Sequence, residues 1–213
     1  MEKQQEEKQS ASAASFRARL KTFLVWGFWV GVVFFSVYPA ANWLASRQTR
    51  QYVLFADWEL GIPFVPQWIW AYLSMYLLFF LPLFFLRPPA MRRLAKLLMC
   101  STLIAGLVFL LFPAPIGFSR ILPETEPYRG MFALLFDLDR PYNTVPSLHV
   151  CYSAAIAAFL FREGNKAMRV LMVFWLSLIV CSTMLTHQHH VADVLTGLLL
   201  PWLVSRFGSG KKC

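Results

Sequence analysis

Charge is what this chain has least of: only 15% of its 213 residues are Asp, Glu, Lys or Arg, where a soluble domain carries about 25%. Hydrophobic residues make up 58% and aromatics 16%, so polar surface is too scarce for a water-soluble globule and a polytopic membrane protein is expected. Cysteine is scarce as well. Cys100, Cys151, Cys181 and Cys213 show no paired spacing, and three of them lie in or beside apolar runs, which argues against a disulfide framework or a thiolate metal site. Cys213 ends the sequence without the three further residues that prenylation requires. No internal repeat is present. The net charge of +9 is not a nucleic-acid footprint, because the Lys and Arg residues sit in short gaps between apolar runs and form no basic patch interleaved with exposed aromatics. Nucleic acid is therefore excluded as a partner.

What the chain does have is long apolar runs. A spanning helix needs about 20 mostly apolar residues, and six runs qualify: Phe23–Leu44, Pro66–Leu86, Leu94–Phe112, Pro146–Phe161, Met168–Leu185 and His190–Val204. The fourth and sixth are short, with polar N-terminal ends suited to a protein-lined pocket. The first is too long for a signal peptide's apolar core. The reading is an all-α bundle of six transmembrane helices over residues 23–205, with a disordered tail before it at 1–22 and a short tail at 206–213. Fifteen of the 20 Lys and Arg residues fall before span 1, after spans 2 and 4, and after span 6. That bias predicts cytoplasmic termini. The loop from Pro113 to Val145 is too long for a tight turn and is expected to be functional, with a short interfacial helix over Met131–Asp139.

Histidine is scarce too, and its placement is the most informative feature. Of four, three lie in Thr186-His187-Gln188-His189-His190-Val191-Ala192-Asp193, and the fourth ends Pro146-Ser147-Leu148-His149. Groups that titrate near neutrality are expensive at a membrane's edge and mark functional sites there. The orientation read from Lys and Arg alone puts both stretches on the same, non-cytoplasmic face. On a helix, residues four apart share a face, so Asp193 can accept a proton-bearing ring nitrogen of His189 and leave the other nitrogen as an outward lone pair. Such an imidazole is a competent nucleophile or base. Ser147 is placed to cap the helix that carries His149, whose positive end favours an anion, and a second histidine facing the first can protonate a leaving oxygen. Arg120 and Arg140 lie in the long loop on the same side, where a guanidinium can grip phosphate bidentately. The histidine cluster also admits a metal-site reading, with the protein as a histidine-lined metal carrier, and Arg140 also reads as a solvated loop charge.

Pro-Ser-x-His followed by Ser-x6-His-x3-Asp, here Pro146-Ser147-Leu148-His149 and Ser182, His189 and Asp193, resembles the second and third signature motifs of the type 2 phosphatidic acid phosphatase superfamily, across roughly residues 110–205. Leu148 within the first of these, Gln188-His189-His190 before Asp193, and the stretch Phe136-Asp137 through Pro141-Tyr142-Asn143 are similar to the branch that includes inositol phosphorylceramide synthases and related bacterial membrane phosphatases. The resemblance implies that His189 attacks phosphorus to form a phosphohistidine, that Asp193 orients it, and that His149 protonates the leaving alcohol, with no metal or other cofactor. It also implies phosphate contacts from Ser147, Ser182 and an arginine. The superfamily's first motif, Lys-x6-Arg-Pro, is not intact here. Arg120 has Pro113 at the Lys position and Ile121 for Pro, whereas Arg140-Pro141 keeps the dipeptide with Ala133 at the Lys position. Arg120 is the first choice and Arg140 the second; Thr183 stands where an Arg is usual. The expected protein is an integral-membrane lipid phosphatase acting on a lipid phosphomonoester or pyrophosphate, phospholipid or isoprenoid. The alternative is a lipid phosphotransferase using the same residues. Compact loops suggest a bacterial inner membrane with the site facing the periplasm.

Overall fold

Runs of Leu, Phe, Val and Trp unbroken by charge commit most of the chain to helix, and the computed structural model, which describes residues 2–208, contains no β-strand among them. Among the described residues, nine α-helices follow one another: α1 (Glu2–Ala45), α2 (Ile69–Leu73), α3 (Met75–Leu78), α4 (Leu81–Phe85), α5 (Pro88–Leu111), α6 (Tyr128–Leu138), α7 (Leu148–Glu163), α8 (Lys166–Leu185) and α9 (Val191–Gly208). Among the described residues, three helical segments are long and apolar enough to cross a membrane, namely Ala14–Ala45, Pro88–Leu111 and Lys166–Leu185. The expected tail at 206–213 falls largely outside the described residues, and Cys213 with it.

Two elements differ from the sequence reading. Helix α1 begins at Glu2, within the stretch whose polar composition suggested disorder; Glu, Gln, Lys and Ala are strong helix formers. The run Pro66–Leu86 is not one helix. A 3-10 turn at Pro66–Trp68 leads into three short helices. The Ser74 hydroxyl bonds back to the Ala71 carbonyl at the first break, and Pro82 stands in the first turn of α4, where its missing N–H costs nothing. Ser74 Oγ also accepts the Trp175 indole N–H at 2.8 Å, tying this irregular stretch to α8. A helix does form where one was expected over Met131–Asp139: α6, which packs Phe132 against Ile69 and Tyr72.

Helix α1 lies along α5, and α7 packs against α5, α8 and α9. Leu94, Leu98, Phe109, Ile156, Leu160 and Ile179 form the core between them. The turns 46–68, 112–147 and 186–190 gather at one end of the bundle, stitched by Tyr52 N to Pro113 O at 2.9 Å, Val65 N to Leu185 O at 2.8 Å and Ile116 N to Pro141 O at 3.0 Å. Both histidine motifs lie at this end.

The start of α9 is held from outside its own sequence. Glu59, in a 3-10 turn at Asp57–Gly61 and 4% exposed, accepts the Ala56 N–H through Oε1 and the Val191 N–H through Oε2 at 2.7 Å. Its Oε2 also lies 3.3 Å from His190 Nδ1. Burial works against ionisation of Glu59, but the two N–H donors and His190 outweigh it and hold its pKa below the usual carboxylate range. Further along, Gly197 lets α9 approach the first turn of α7, since a Cβ there would meet Ser147 O at 2.7 Å and Val150 Cβ at 3.1 Å.

Gly197→Ala should therefore push α7 away from α9 and cost about 1–3 kcal/mol of stability, read as a lower unfolding temperature in detergent. Glu59→Gln should cost about 1–3 kcal/mol at neutral pH by weakening a charge-assisted acceptor. Because the folded-state pKa is depressed, that contribution is complete above the unfolded carboxylate's pKa and disappears as pH falls through the folded value. The melting difference between wild type and Glu59→Gln should accordingly shrink on acidification; a difference that grew instead would contradict the assignment.

Candidate active site

The turn between α8 and α9 sets the position of His189. Helix α8 ends at Thr186, and His187 takes a left-handed conformation with φ 56°, the usual way of stopping a helix, with His among the residues that tolerate it. Gln188 N and His189 N both donate to the Thr183 carbonyl, at 2.9 and 3.0 Å. The other two histidines are occupied. His187 shares its Nε2 with the Ile62 carbonyl at 2.8 Å and stacks on Phe118 at 4.0 Å, and burial pushes its pKa down. His190 Nε2 accepts the Gly117 N–H at 3.0 Å, so its proton sits on Nδ1 toward Glu59, and its ring lies between Phe55 and Phe118.

His189 is different. Its Nδ1 lies 3.1 Å from Asp193 Oδ2, the pairing expected from their spacing of four. With Asp193 ionised, Nδ1 carries the proton and Nε2 keeps its lone pair. The same Oδ2 accepts the His190 backbone N–H at 2.8 Å, so the orienting carboxylate is itself fixed, and Asp193 is only 1% exposed.

His149 reaches the same place from α7. Ser147 is the N-cap, its hydroxyl accepting the Val150 N–H at 3.3 Å, and the Ser147 N–H donates to the Asp193 carbonyl at 3.0 Å. One residue of α9 thus holds His189 through its side chain and the His149 helix through its backbone. The imidazole of His149 stacks on Tyr72 and shares its Nδ1 with that phenol at 3.2 Å, while Nε2 is buried without a protein partner. The two imidazole centroids are 6.5 Å apart. Both rings line one cavity of about 650 Å³.

The remaining candidates sit around this pair rather than in it. Ser147 and Ser182 are fully buried, and each hydroxyl is engaged in its own helix, Ser182 Oγ with the Ile179 carbonyl at 2.6 Å. Arg120 is half-buried, with one guanidinium N–H on the Phe136 carbonyl at 3.1 Å, its plane over the Phe136 ring, and its Nε buried without a partner. Arg140 is exposed and turned toward Ser46 Oγ at 3.4 Å. None of the four lines the cavity, and among the described residues no Lys or Arg does. Nor do three His, Cys, Asp or Glu side chains gather as a metal-holding set among the described residues.

Motif spacing gave no hint of two further polar residues. Asp139, just after α6, faces the cavity with Oδ1 held by the Tyr38 hydroxyl at 2.7 Å and Asn42 Nδ2 at 2.9 Å. Burial raises its pKa, against the opposing pull of the Tyr38 hydrogen bond, His189, Arg120 and Asn42. Tyr72, the partner of His149, lies in a stretch that looked like ordinary apolar span. The only signals were that Asp139 closes the long loop's helix and that a phenol sits mid-span.

A sequence profile described as the PAP2 superfamily matches residues 43–207, well over half the chain and inclusive of His149, Ser182, His189 and Asp193. No solved structure matches. The spacing of Pro146-Ser147-Leu148-His149, Ser182, His189 and Asp193, the facing imidazoles that result, and the profile agree: the chain belongs to the type 2 phosphatidic acid phosphatase superfamily.

Proposed function

We propose that this protein is an integral-membrane phosphatase that removes phosphate from a lipid phosphomonoester or pyrophosphate through a phosphohistidine on His189. Members of its superfamily are phosphatases, which gives phosphoester hydrolysis as the broad class. The observation that carries the finer reading is that His189, oriented by Asp193, and His149, with an unpartnered Nε2, face each other at 6.5 Å across one cavity. That gap suits a single phosphoryl group between the rings.

In this mechanism His189 Nε2 attacks phosphorus and forms the P–N bond as the P–O bond to the lipid breaks. Protonated His149 gives its Nε2 proton to the departing alkoxide and becomes neutral; the phosphate's own charge is the counterion that a buried imidazolium needs. Water then attacks phosphorus, returns a proton to His149, and the P–N bond breaks to release phosphate. Asp193 holds the His189 tautomer throughout. No metal enters these steps. The Lys and Arg bias supports cytoplasmic termini, six crossings and an active site on the outer face, which in a bacterial inner membrane is the periplasmic side.

One observation favours a second reading. Asp139 presents a carboxyl to the same cavity, placed to bind an acceptor hydroxyl, and resolution of the intermediate by that hydroxyl would make the protein a lipid phosphotransferase. Free phosphate without a new phospholipid marks the hydrolase; a new phospholipid marks the transferase.

His189→Ala should lower phosphate release at least about a thousandfold and His149→Ala by about 10²–10⁴-fold, with Asp193→Asn milder than His189→Ala and all three still monodisperse in detergent. An aryl phosphate, whose leaving group needs no proton, should restore most of the lost rate to His149→Ala and none to His189→Ala. Turnover should persist in EDTA, whereas a metal carrier would release stoichiometric metal and show no turnover. Normal activity in purified, folded His189→Ala would sink the proposal.

A further inference from the structure

The cavity is much longer than a phosphate needs. On α1 its lining residues fall on one helical stripe, from Phe23 through Gly27, Gly31 and Phe34 to Tyr38 and Pro39. Sixteen residues of helix at 1.5 Å each is roughly 24 Å, against about 30 Å for the whole hydrocarbon core of a bilayer. The chemistry changes along that length. Tyr38, Asp139, Asn143, His149 and His189 crowd one end, whereas the far end is walled by Phe23, Trp26, Phe80, Met91, Leu94 and Ala95. Helix α7 shows the same gradient, with His149 leading to Ile156 two turns deeper. Two glycines one turn apart widen the slot: a Cβ on Gly27 or Gly31 would meet nothing within 4 Å, so the space they leave is open.

We infer that this slot binds the hydrocarbon chain of the substrate lipid, headgroup at the imidazoles and tail running along α1 to the Phe23 end, so that chain length is read by the depth of the cavity. The inference rests on the lipid-phosphate reading and deepens it. A tail that fills the slot extends beyond one leaflet, half of about 30 Å, which makes long-chain lipid phosphates the preferred substrates. Each methylene buried is worth about 0.8 kcal/mol, more than enough for a steep dependence on length. Gly27 lies eleven residues before Tyr38, roughly 16 Å down the slot, beyond the reach of an eight-carbon chain.

The test compares kcat/KM for octyl phosphate and hexadecyl phosphate in the full-length protein. Wild type should favour hexadecyl phosphate at least about tenfold, and Gly27→Leu should cut that ratio at least about fivefold by filling the deep end. Ala95→Leu, on the facing wall, repeats the measurement should Gly27→Leu fail to fold. A ratio unchanged within about twofold in these variants overturns the slot while leaving the phosphatase reading intact. Should wild type release phosphate from neither substrate, the phosphatase reading fails instead. Native mass spectrometry with hexadecyl phosphate then decides the slot: an adduct present in wild type and lost in Gly27→Leu supports it, and equal adducts overturn it.

Discussion

Asp193 carries the arrangement on which everything else at this site depends. Its carboxylate orients His189 and fixes the His190 N–H, and its carbonyl accepts the N–H of Ser147. The first two interactions are local to the start of α9, while the third reaches α7. Gly197, one turn further along, removes the side chain that would keep the two helices apart. The separation of the two imidazoles is therefore set by backbone contacts between helix starts rather than by flexible side chains. Preorganisation of that kind is what positioning needs, because a misplacement of about 1 Å can cost a hundredfold in rate.

The polar groups here are expensive to bury, and the fold answers by pairing many of them. Glu59 takes two backbone N–H groups, His190 a third, and Asp139 is met by Tyr38 and Asn42. What stays unsatisfied is informative by contrast. Buried atoms without a protein hydrogen-bond partner include His149 Nε2 and Asn143 Oδ1, both on cavity-lining residues, and Arg120 Nε, on a residue that does not line the cavity. An unpaired buried donor costs about 1–3 kcal/mol, and a substrate that supplied oxygen acceptors would recover that cost on binding.

The helix i, i+4 rule made the His189–Asp193 pair legible in the sequence, because it is local geometry, and the Ser147 cap was readable for the same reason. The apolar runs likewise located α1, α5 and α8. Tyr72, Asp139 and Glu59 were not legible. Each acts on a residue from a distant part of the chain, 77 positions away for Tyr72 and His149 and 132 for Glu59 and Val191, and no local pattern marks such a pairing. The interruption of Pro66–Leu86 was hidden too, since hydropathy reports burial and not the hydrogen bonding of Ser74. Ser147 and Ser182 were read as phosphate contacts. Their hydroxyls satisfy backbone groups within α7 and α8, so the pattern reflects how the helices begin and pack as much as any contact with phosphate.

The proposed phosphate site, in a cavity lined by no Lys or Arg among the described residues, needs another source of positive potential, and the helix starts differ in what they can supply. The N-terminus of α9 is already matched by two carboxylates, Asp193 on the His190 N–H and Glu59 on the Val191 N–H. The N-terminus of α7 is capped only by the neutral Ser147 hydroxyl, which leaves its share of roughly half a positive charge uncompensated. His149 sits in that first turn. In the proposed reaction, negative charge is therefore best accommodated on the α7 side of the phosphoryl group, where the leaving oxygen develops it and where the proton donor waits. The α9 side, whose first N–H groups are already taken by Asp193 and Glu59, offers no comparable stabilisation. The two ends of the displacement are told apart by which helix start has its dipole already neutralised.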